Sequence, residues 1–291
     1  MSIKKPPRVV VITGASGGIG RASARMFARQ GNRVALLARG STGLDAAARE
    51  VRDLGGDALT ISVDTADHEA LDRAADRIEA ELGPIDVWVN DAFTSVFARF
   101  IDIEPDEFRR VTEVSYLGFV NGTRTALSRM LPRDSGVIVQ VGSALAHRGI
   151  PLQSAYCGAK HAIRGFTESV ITELIHERSN VRVCMVDLPG VNTPQFDWND
   201  NQFDEHPMPV PPIFQPEVPA RMVRFVAEHP RRSAWVGFPT VKTIIGNRVA
   251  PWFLDWYLGR KVVQGQLSDA DGPRRGSNAL DPRRGPLAAL S

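Results

Sequence analysis

Tyr156 and Lys160 are the two residues whose types and spacing most directly suggest chemistry in this sequence. They are four positions apart in a segment with helical spacing, which places both side chains on one helix face. A lysine ammonium beside a phenol stabilises the phenolate and lowers the tyrosine pKa, so Tyr156 is predicted to act as a general acid or base. Ser143 ends the preceding predicted strand, where its hydroxyl can hold a substrate carbonyl oxygen. The alternative for Tyr156 and Lys160 is a surface packing pair.

A glycine-rich turn lies between a predicted strand and a predicted helix. Its sequence is Thr13-Gly14-Ala15-Ser16-Gly17-Gly18-Ile19-Gly20. Glycines permit a tight turn and a close approach of the backbone to a pyrophosphate, which then lies on N–H groups at the helix N-terminus. The turn therefore predicts a dinucleotide site, and a glycine-rich turn without a ligand is the alternative. A nucleotide triphosphatase loop is disfavoured, because Arg21-Ala22 follows the turn instead of Gly-Lys-Ser/Thr.

The end of the second predicted strand indicates which dinucleotide is expected. An acidic residue there would accept hydrogen bonds from the adenosine ribose, but the strand ends at Ala38-Arg39. The planar donors of Arg39 suit a 2′-phosphate, so NADP(H) is favoured over NAD(H). Ser41 can add a hydroxyl donor, and Asp64 can accept from the adenine amino group. The alternatives are a solvated Arg39 and a helix-capping Asp64.

Alternating strands and helices must position these residues. Strands are predicted over Arg8–Thr13, Arg33–Ala38, Ala58–Val63, Ile85–Val89, Gly136–Val141 and Val181–Val186. Helices are predicted over Ile19–Gln30, Leu44–Leu54, Asp67–Leu82, Phe108–Met130 and Gln153–Glu177. Continuous apolar strands are buried on both faces, which is typical of a parallel sheet covered by helices. The predicted fold is α/β: a Rossmann-type doubly wound parallel sheet with helices on both faces and a C-terminal helical extension, forming one domain over 1–265.

The last third of the chain departs from this alternation. Residues 189–219 hold eight of the twenty prolines and are predicted to form either a lid over the site or an irregular surface layer. A helix is predicted over 240–262, with an aromatic stripe of Trp252, Phe253, Trp256 and Tyr257. This stripe is expected to pack on the domain or on a second subunit, with contact to a membrane surface as the alternative. The composition of residues 268–291 predicts a disordered tail.

Composition excludes several classes of protein. The 291 residues are 43% hydrophobic and 23% charged, which is typical of a globular chain, and the net charge of +2 is too small to attract nucleic acid or an anionic membrane. Two cysteines exclude a disulfide scaffold and favour a cytoplasmic location. The apolar run Val9–Ile12 is too short for a signal peptide, and no stretch is long and apolar enough for a membrane span. No metal site is predicted.

The glycine turn, Ser143 and the Tyr156–Lys160 pair occur in the order typical of short-chain dehydrogenase/reductases, and the chain resembles this family from about Arg8 to Val236. The resemblance rests on the TGxxxGxG turn and on the Ser–Tyr–Lys arrangement. It implies that Ser143 orients the substrate carbonyl or alcohol, that Tyr156 donates or accepts the proton, and that Lys160 holds the nicotinamide ribose and tunes Tyr156. Hydride then passes between nicotinamide C4 and the carbonyl carbon. Further cofactor contacts are implied for Thr65, Asn90, Ala92, Pro189, Val191 and Thr193.

Three positions depart from the family pattern. Asn90-Asp91-Ala92-Phe93 stands in place of Asn-Asn-Ala-Gly, so that Phe93 either narrows the nicotinamide pocket or forms an apolar wall of it. Ser115 occupies the place of an asparagine that holds a proton-relay water; its alternative is an ordinary helix residue. Pro189 aligns with a glycine, and its turn must differ because proline lacks an N–H and fixes φ.

The sequence therefore predicts an NADP(H)-dependent oxidoreductase that interconverts a carbonyl and a secondary alcohol on a mainly apolar small molecule. The candidate catalytic residues are Ser115, Ser143, Tyr156 and Lys160, and the predicted substrate pocket is formed by Phe93, Leu145, His147, Gln153, Phe196 and Trp198. The alternatives are a weakly catalytic or non-catalytic NADP-binding sensor or scaffold and a dehydratase or epimerase of the same fold. A homodimer or homotetramer is expected through the helices Phe108–Met130 and Gln153–Glu177.

Overall fold

The computed structural model describes residues 6–195, 200–201 and 205–271. Its strands are β1 (Val9–Thr13), β2 (Arg33–Ala38), β3 (Asp57–Ser62), β4 (Ile85–Asn90), β5 (Val96–Phe97), β6 (Val137–Val141), β7 (Arg182–Asp187), β8 (Asp200–Asn201), β9 (Glu205–Pro207), β10 (Ser233–Trp235) and β11 (Leu267–Asp271). Its α-helices are α1 (Gly18–Ala28), α2 (Ser41–Asp53), α3 (His68–Leu82), α4 (Pro105–Thr112), α5 (Gly118–Met130), α6 (Ser154–His176), α7 (Glu217–Glu228), α8 (Gly237–Val249) and α9 (Pro251–Lys261).

Seven parallel strands form the central sheet in the order β10-β7-β6-β4-β1-β2-β3. Alternate side chains of β1 point to opposite faces of the sheet. Val10 and Ile12 pack with α1, α2 and α7, whereas Val9 and Val11 pack with α3 and α5. Both faces are covered by helices, so the predicted Rossmann-type α/β fold is confirmed. The strand order reverses between β1 and β4, which places a ligand crevice at the carboxyl ends of these strands.

The helix predicted over 108–130 is not continuous. A π-helical turn, Glu113–Leu117, separates α4 from α5. The hydroxyl of Ser115 lies in this turn; it donates to the carbonyl oxygen of Thr94 at 2.6 Å and accepts the N–H of the same residue at 2.8 Å. The prediction of one long helix over Phe108–Met130 was wrong here, because the backbone of Thr94, 21 positions away in sequence, binds Ser115 at the point of interruption.

The C-terminal helix predicted over 240–262 is also divided in two. Ala250 is not helical, and Pro251 begins α9, because proline has no N–H to continue the ladder of α8. The tail was predicted to begin at 268, but residues 267–271 pair with β9 as strand β11. Residues 272–291 of that tail lie outside the described residues. No helix in the described ranges combines the length and apolarity needed to cross a bilayer.

The proline-rich segment 189–219 forms short pairings where it is described. Val191 forms a bridge with Phe214, β8 pairs with β5, and β9 pairs with β11. The lid and the irregular surface layer both stay predictions for this segment. Phe196 and Trp198, predicted for the substrate pocket, lie outside the described residues.

Candidate active site

The glycine turn packs tightly against the segment that follows β4. Gly14 has φ +72° and Gly18 has φ +52°, both in the left-handed region that favours glycine. A Cβ atom on Gly14 would lie 2.9 Å from the Cα atom of Ala92, and a Cβ atom on Gly20 would lie 2.5 Å from the carbonyl oxygen of Gly14. Gly17 precedes α1 and supplies no capping side chain for its first N–H groups. The turn thus has the backbone cradle that a pyrophosphate requires.

Thr193 faces the same turn from the proline-rich segment. A Cβ atom on Gly18 would lie 3.3 Å from Cγ2 of Thr193. The backbone N–H of Asn192 donates to the carbonyl oxygen of Phe214 at 2.8 Å, and Val191 is buried beside it. This pairing holds Thr193 against the glycine turn, so two segments predicted to contact a cofactor are brought together.

Arg39 lies at the carboxyl end of β2, the strand next to β1. It is half-buried, and its carbonyl oxygen accepts a hydrogen bond from the Ser62 hydroxyl at 2.8 Å. Ser41 begins α2 and is exposed. Ser16 packs against the same helix, because a Cβ atom on Gly43 would lie 2.8 Å from Cβ of Ser16. The structure therefore places Ser16, Arg39 and Ser41 at one edge of the sheet.

Tyr156 lies in the first turn of α6. Ser143 caps a short 3-10 turn, Ala144–Ala146, by accepting the N–H of Leu145 at 3.1 Å. Burial raises the pKa of Tyr156 above its usual range, and the nearby Ser143 hydroxyl offsets this only in part. Phe93 packs edge-on against the phenol ring, with ring centroids 5.8 Å apart. Tyr156 is therefore a neutral phenol at neutral pH.

Lys160 is a buried cation beneath this phenol. It is 2% exposed, and its Nζ donates to the carbonyl oxygen of Val141 at 2.8 Å. The same atom lies 4.8, 5.4 and 5.5 Å from the ring centroids of Phe119, Phe93 and Tyr156. Burial lowers the pKa of Lys160 to about 8, although two nearby carboxylates raise it. The pKa of Tyr156 is raised, which is opposite to the direction predicted from this pair, because burial of the phenol is the largest influence on it.

The profile of the short chain dehydrogenase family matches residues 8–202. The chain belongs to this family. The uncharacterized oxidoreductase YxnA of Bacillus subtilis (strain 168) is 31% identical over 279 residues, which are 95% of this chain and 78% of that protein. The 3-dehydrosphinganine reductase of Danio rerio is 34% identical over 192 residues, which are 64% of this chain and 57% of the reductase. An alcohol dehydrogenase from the archaeon Thermococcus sibiricus, solved with 5-hydroxy-NADP, superposes with a TM-score of 0.68 at 26% identity, covering 79% of this chain and 95% of that chain.

The chain carries a buried carboxylate, Asp91, that was not among the residues predicted for the site. Its backbone N–H donates to the Thr13 hydroxyl at 3.0 Å, and its carboxylate lies beside Gly20, where an added Cβ atom would be 3.0 Å from Oδ2. Burial raises the pKa of Asp91 to about 7, while the Lys160 ammonium and the N–H of Gly20 lower it. The signal in the sequence was an acidic residue where the family pattern has a neutral amide, directly after a buried strand.

A second buried carboxylate, Asp187, links the lysine to a histidine. Its Oδ2 lies 3.0 Å from Nε2 of His147, and Nη1 of Arg164 donates to Nδ1 of the same ring at 3.0 Å. Because a guanidinium only donates, Nδ1 is the acceptor, and Nε2 carries the proton given to Asp187. Oδ1 of Asp187 has no hydrogen-bond partner within the described part of the chain, and the charge of Asp187 raises the pKa of Lys160. His147 was predicted to line the substrate pocket; its side chain is 8% exposed, and its ring binds Asp187 and Arg164.

Ser115 and Asn90 use their side chains to anchor β4 and the loop that follows it. Both hydrogen bonds of the Ser115 hydroxyl go to the backbone of Thr94. The Asn90 side chain donates to Oε1 of Gln140 at 2.9 Å and accepts from Nε1 of Trp88 at 2.8 Å. A relay role for Ser115 and a cofactor contact for Asn90 stay predictions.

Asp64 and Gln153 also have partners within the chain. Asp64 forms an ion pair with Arg110 and accepts the N–H of Ala66 at 3.0 Å. Nε2 of Gln153 donates to Oε1 of Gln266 at 2.8 Å, so this predicted pocket residue is tied to the segment after α9. Of the other predicted residues, Ile19 and Thr65 are buried, and Ala92, Leu145 and Pro189 are half-buried.

Proposed function

We propose that this chain is an NADP(H)-dependent oxidoreductase that interconverts a carbonyl and a secondary alcohol on a mainly apolar small molecule. The observation that carries the proposal is the buried ammonium of Lys160, whose Nζ lies 5.5 Å from the ring centroid of Tyr156, beside a phenol whose pKa the Ser143 hydroxyl lowers. These groups lie at the carboxyl edge of the sheet, where α/β proteins of this type bind their ligands.

The residues at this edge fit a dinucleotide. The glycine turn packs tightly on Ala92 at Gly14, and Gly17 leaves the first N–H groups of α1 without a capping side chain, so that a pyrophosphate can accept them. Arg39 would hold the 2′-phosphate, Lys160 the nicotinamide ribose, and Thr193 the carboxamide or a phosphate. The related alcohol dehydrogenase that was solved with 5-hydroxy-NADP supports the preference for NADP(H). When bound, the nicotinamide supplies or accepts the hydride.

Tyr156 would transfer the proton, and Ser143 would orient the substrate oxygen that receives or releases it. In the reduction direction, the neutral phenol of Tyr156 donates its proton to the substrate oxygen as negative charge develops there. Ser143 holds the same oxygen, and the Lys160 ammonium stabilises the phenolate that is left behind. The raised pKa of Tyr156 favours a phenol that gives up its proton only to a strong base such as a developing alkoxide. In the oxidation direction the same groups act in reverse.

Phe93 supports an apolar substrate. It replaces the glycine of the family pattern, and its ring stands against Tyr156 as an apolar wall. A substrate carbonyl that reaches the phenol must therefore pass a hydrocarbon surface, which favours apolar groups beside the carbonyl.

The cofactor assignment is tested by titrating NADPH and NADH into the purified protein and following the fluorescence of the reduced nicotinamide. Arg39→Ala should weaken NADPH binding about tenfold or more, because a charge-assisted hydrogen bond contributes about 1.5–3 kcal/mol. NADH binding should stay unchanged. Arg49→Ala, at an exposed position of α2, is the matched control. An equal loss for both nucleotides would remove the NADP(H) assignment.

The catalytic assignment is tested with a panel of carbonyls and alcohols. Tyr156→Phe keeps the ring against Phe93 and removes only the hydroxyl, so turnover should fall about 10²- to 10⁴-fold with NADPH affinity unchanged. A wild-type protein that binds NADPH but turns over no member of the panel would be the sensor or scaffold instead. A product formed without net oxidation of the cofactor would identify a dehydratase or epimerase.

The assembly is proposed to be a dimer or tetramer formed through α5 and α6. Ile175, near the end of α6, is 69% exposed, which is consistent with an apolar contact between subunits. Light scattering should give twice or four times the mass of 31.8 kDa. A monomer mass at all concentrations would contradict this assembly.

A further inference from the structure

Helices α8 and α9 carry a large apolar surface that the rest of the described chain does not cover. We call it the aromatic face; its members are between 44% and 77% exposed, and they are Phe238, Ile245, Val249, Trp252, Phe253, Trp256 and Tyr257. The rings of α9 contact one another: Phe253 is tilted against Trp256 with centroids 5.9 Å apart and stacks on Tyr257 with centroids 6.3 Å apart. No residue of α9 is buried. A helix of 11 residues that buries nothing is marginal in water, so this face requires a covering surface.

The same two helices are strongly cationic. Their exposed basic residues are Lys242, Arg248, Arg260 and Lys261. Asp255 is the one acidic residue in their sequence, and its charge is paired with Arg148. The guanidinium of Arg260 lies over the Trp256 ring, 5.1 Å from its centroid. In sequence, positions 272–291 add four arginines and one aspartate. The net charge of +2 for the whole chain therefore hides a local excess of positive charge at this end.

Hydrogen bonds join the helices of the aromatic face to the turn that follows Ser143. Nη1 of Arg148 donates to Oδ1 of Asn247 in α8 at 3.0 Å, and Nδ2 of Asn247 donates to the carbonyl oxygen of His147 at 2.7 Å. His147 follows Ser143 by four residues and binds Asp187 through its ring. The turn that carries Ser143 thus also holds the two exposed helices.

We propose that the aromatic face docks on the surface of a bilayer that contains anionic lipids. Tryptophan and tyrosine rings are favoured at the boundary between headgroups and acyl chains, and arginine and lysine side chains are favoured among anionic headgroups. A second copy of this chain fits less well, because a two-fold symmetric contact would bring the same cations against one another. The binding requires only the surface of α8 and α9 and does not depend on the chemistry proposed for Tyr156.

The test is flotation of the full chain with vesicles of phosphatidylcholine, with and without phosphatidylglycerol. Each cation near an anionic surface contributes about 1 kcal/mol, or about fivefold in affinity, so binding should increase with phosphatidylglycerol and fall with salt. Arg248→Glu combined with Arg260→Glu should weaken it at least about 25-fold. The matched control is Arg73→Glu with Arg77→Glu, which makes the same change in net charge at exposed positions of α3.

The apolar part of the contact is tested separately. Trp252→Ser combined with Trp256→Ser should abolish vesicle binding. The control is Phe100→Ser with Ile101→Ser, two exposed apolar residues outside α8 and α9, and it should leave vesicle binding unchanged. Tyr156→Phe should bind vesicles like the wild type, so that failure of the oxidoreductase proposal is distinguishable from failure of this one. The proposal is overturned if the wild type does not float with the anionic vesicles. It is equally overturned if the variant that lacks both tryptophans is smaller by light scattering than the wild type and still binds vesicles as the wild type does, because the two tryptophans would then hold two chains together.

Discussion

Replacing Asp91 by asparagine removes one buried charge from the candidate active site and little else. The amide oxygen of asparagine keeps an acceptor beside the N–H of Gly20, the group that lowers the pKa of the carboxylate in the native protein. The lost quantity is the attraction between Asp91 and the Lys160 ammonium, which raises the pKa of Lys160 against the effect of burial. Asp91→Asn should therefore lower the pKa of Lys160 below its native value of about 8.

The size of the change follows from the burial of both groups. Two opposite unit charges that are about 10 Å apart attract by about 1.7 kcal/mol at an effective dielectric constant of about 20. This is slightly more than one pKa unit, and closer charges interact more strongly. If the reaction needs the Lys160 ammonium, the alkaline limb of kcat moves to lower pH by about one unit or more.

The assay is the initial rate of NADPH-dependent carbonyl reduction as a function of pH, with kcat and the KM for NADPH determined separately. Asp187→Asn should move the same limb in the same direction, because Asp187 also raises the pKa of Lys160. Asp45→Asn, at an exposed position of α2, should leave it in place. An alkaline limb that is identical in wild type and Asp91→Asn would refute the coupling between Asp91 and Lys160.

Three further predictions concern stability. Gly122→Ala should destabilise the fold by about 1–3 kcal/mol in urea denaturation, because its Cβ atom would lie 2.1 Å from Oδ1 of Asn90. Gly165 lies in α6, and a Cβ atom added there would have nothing within 4 Å, so Gly165→Ala should stabilise the fold by about 0.5–1 kcal/mol. Equal losses of stability in both variants would contradict the packing argument. The hydrogen bond from Arg21 lowers the pKa of Glu50. The stabilising effect of this bond is therefore present above the ordinary glutamate pKa of 4.5 and is lost as the pH falls through the pKa of the folded state. Glu50→Gln should therefore be less stable than wild type at pH 7 by about 1 kcal/mol and equally stable near pH 2, and a difference that persists in acid would argue against this pairing.

The sheet and the cofactor turn could be predicted from the sequence because their signals are local. Continuous apolar strands alternate with helical segments, and Val10 and Ile12 of β1 are buried as that pattern requires. The tight turn has positive φ at Gly14 and Gly18, a conformation that favours glycine, so the residue types alone indicate the turn. The order of Ser143, Tyr156 and Lys160 on a strand end and a helix was enough to expect them at one edge of the sheet.

Only the tertiary structure decided which side chains at that edge of the sheet are charged, and how the chain runs around them. The π-helical turn at Ser115 depends on the backbone of Thr94, and the network of Lys160 depends on Asp91 and Asp187 from two different strands. Local spacing shows which residues can be neighbours on one helix or strand. It does not show how much water is removed from a phenol or an ammonium, or which carboxylates other strands bring to it, and these two quantities set the charges on which the chemistry depends.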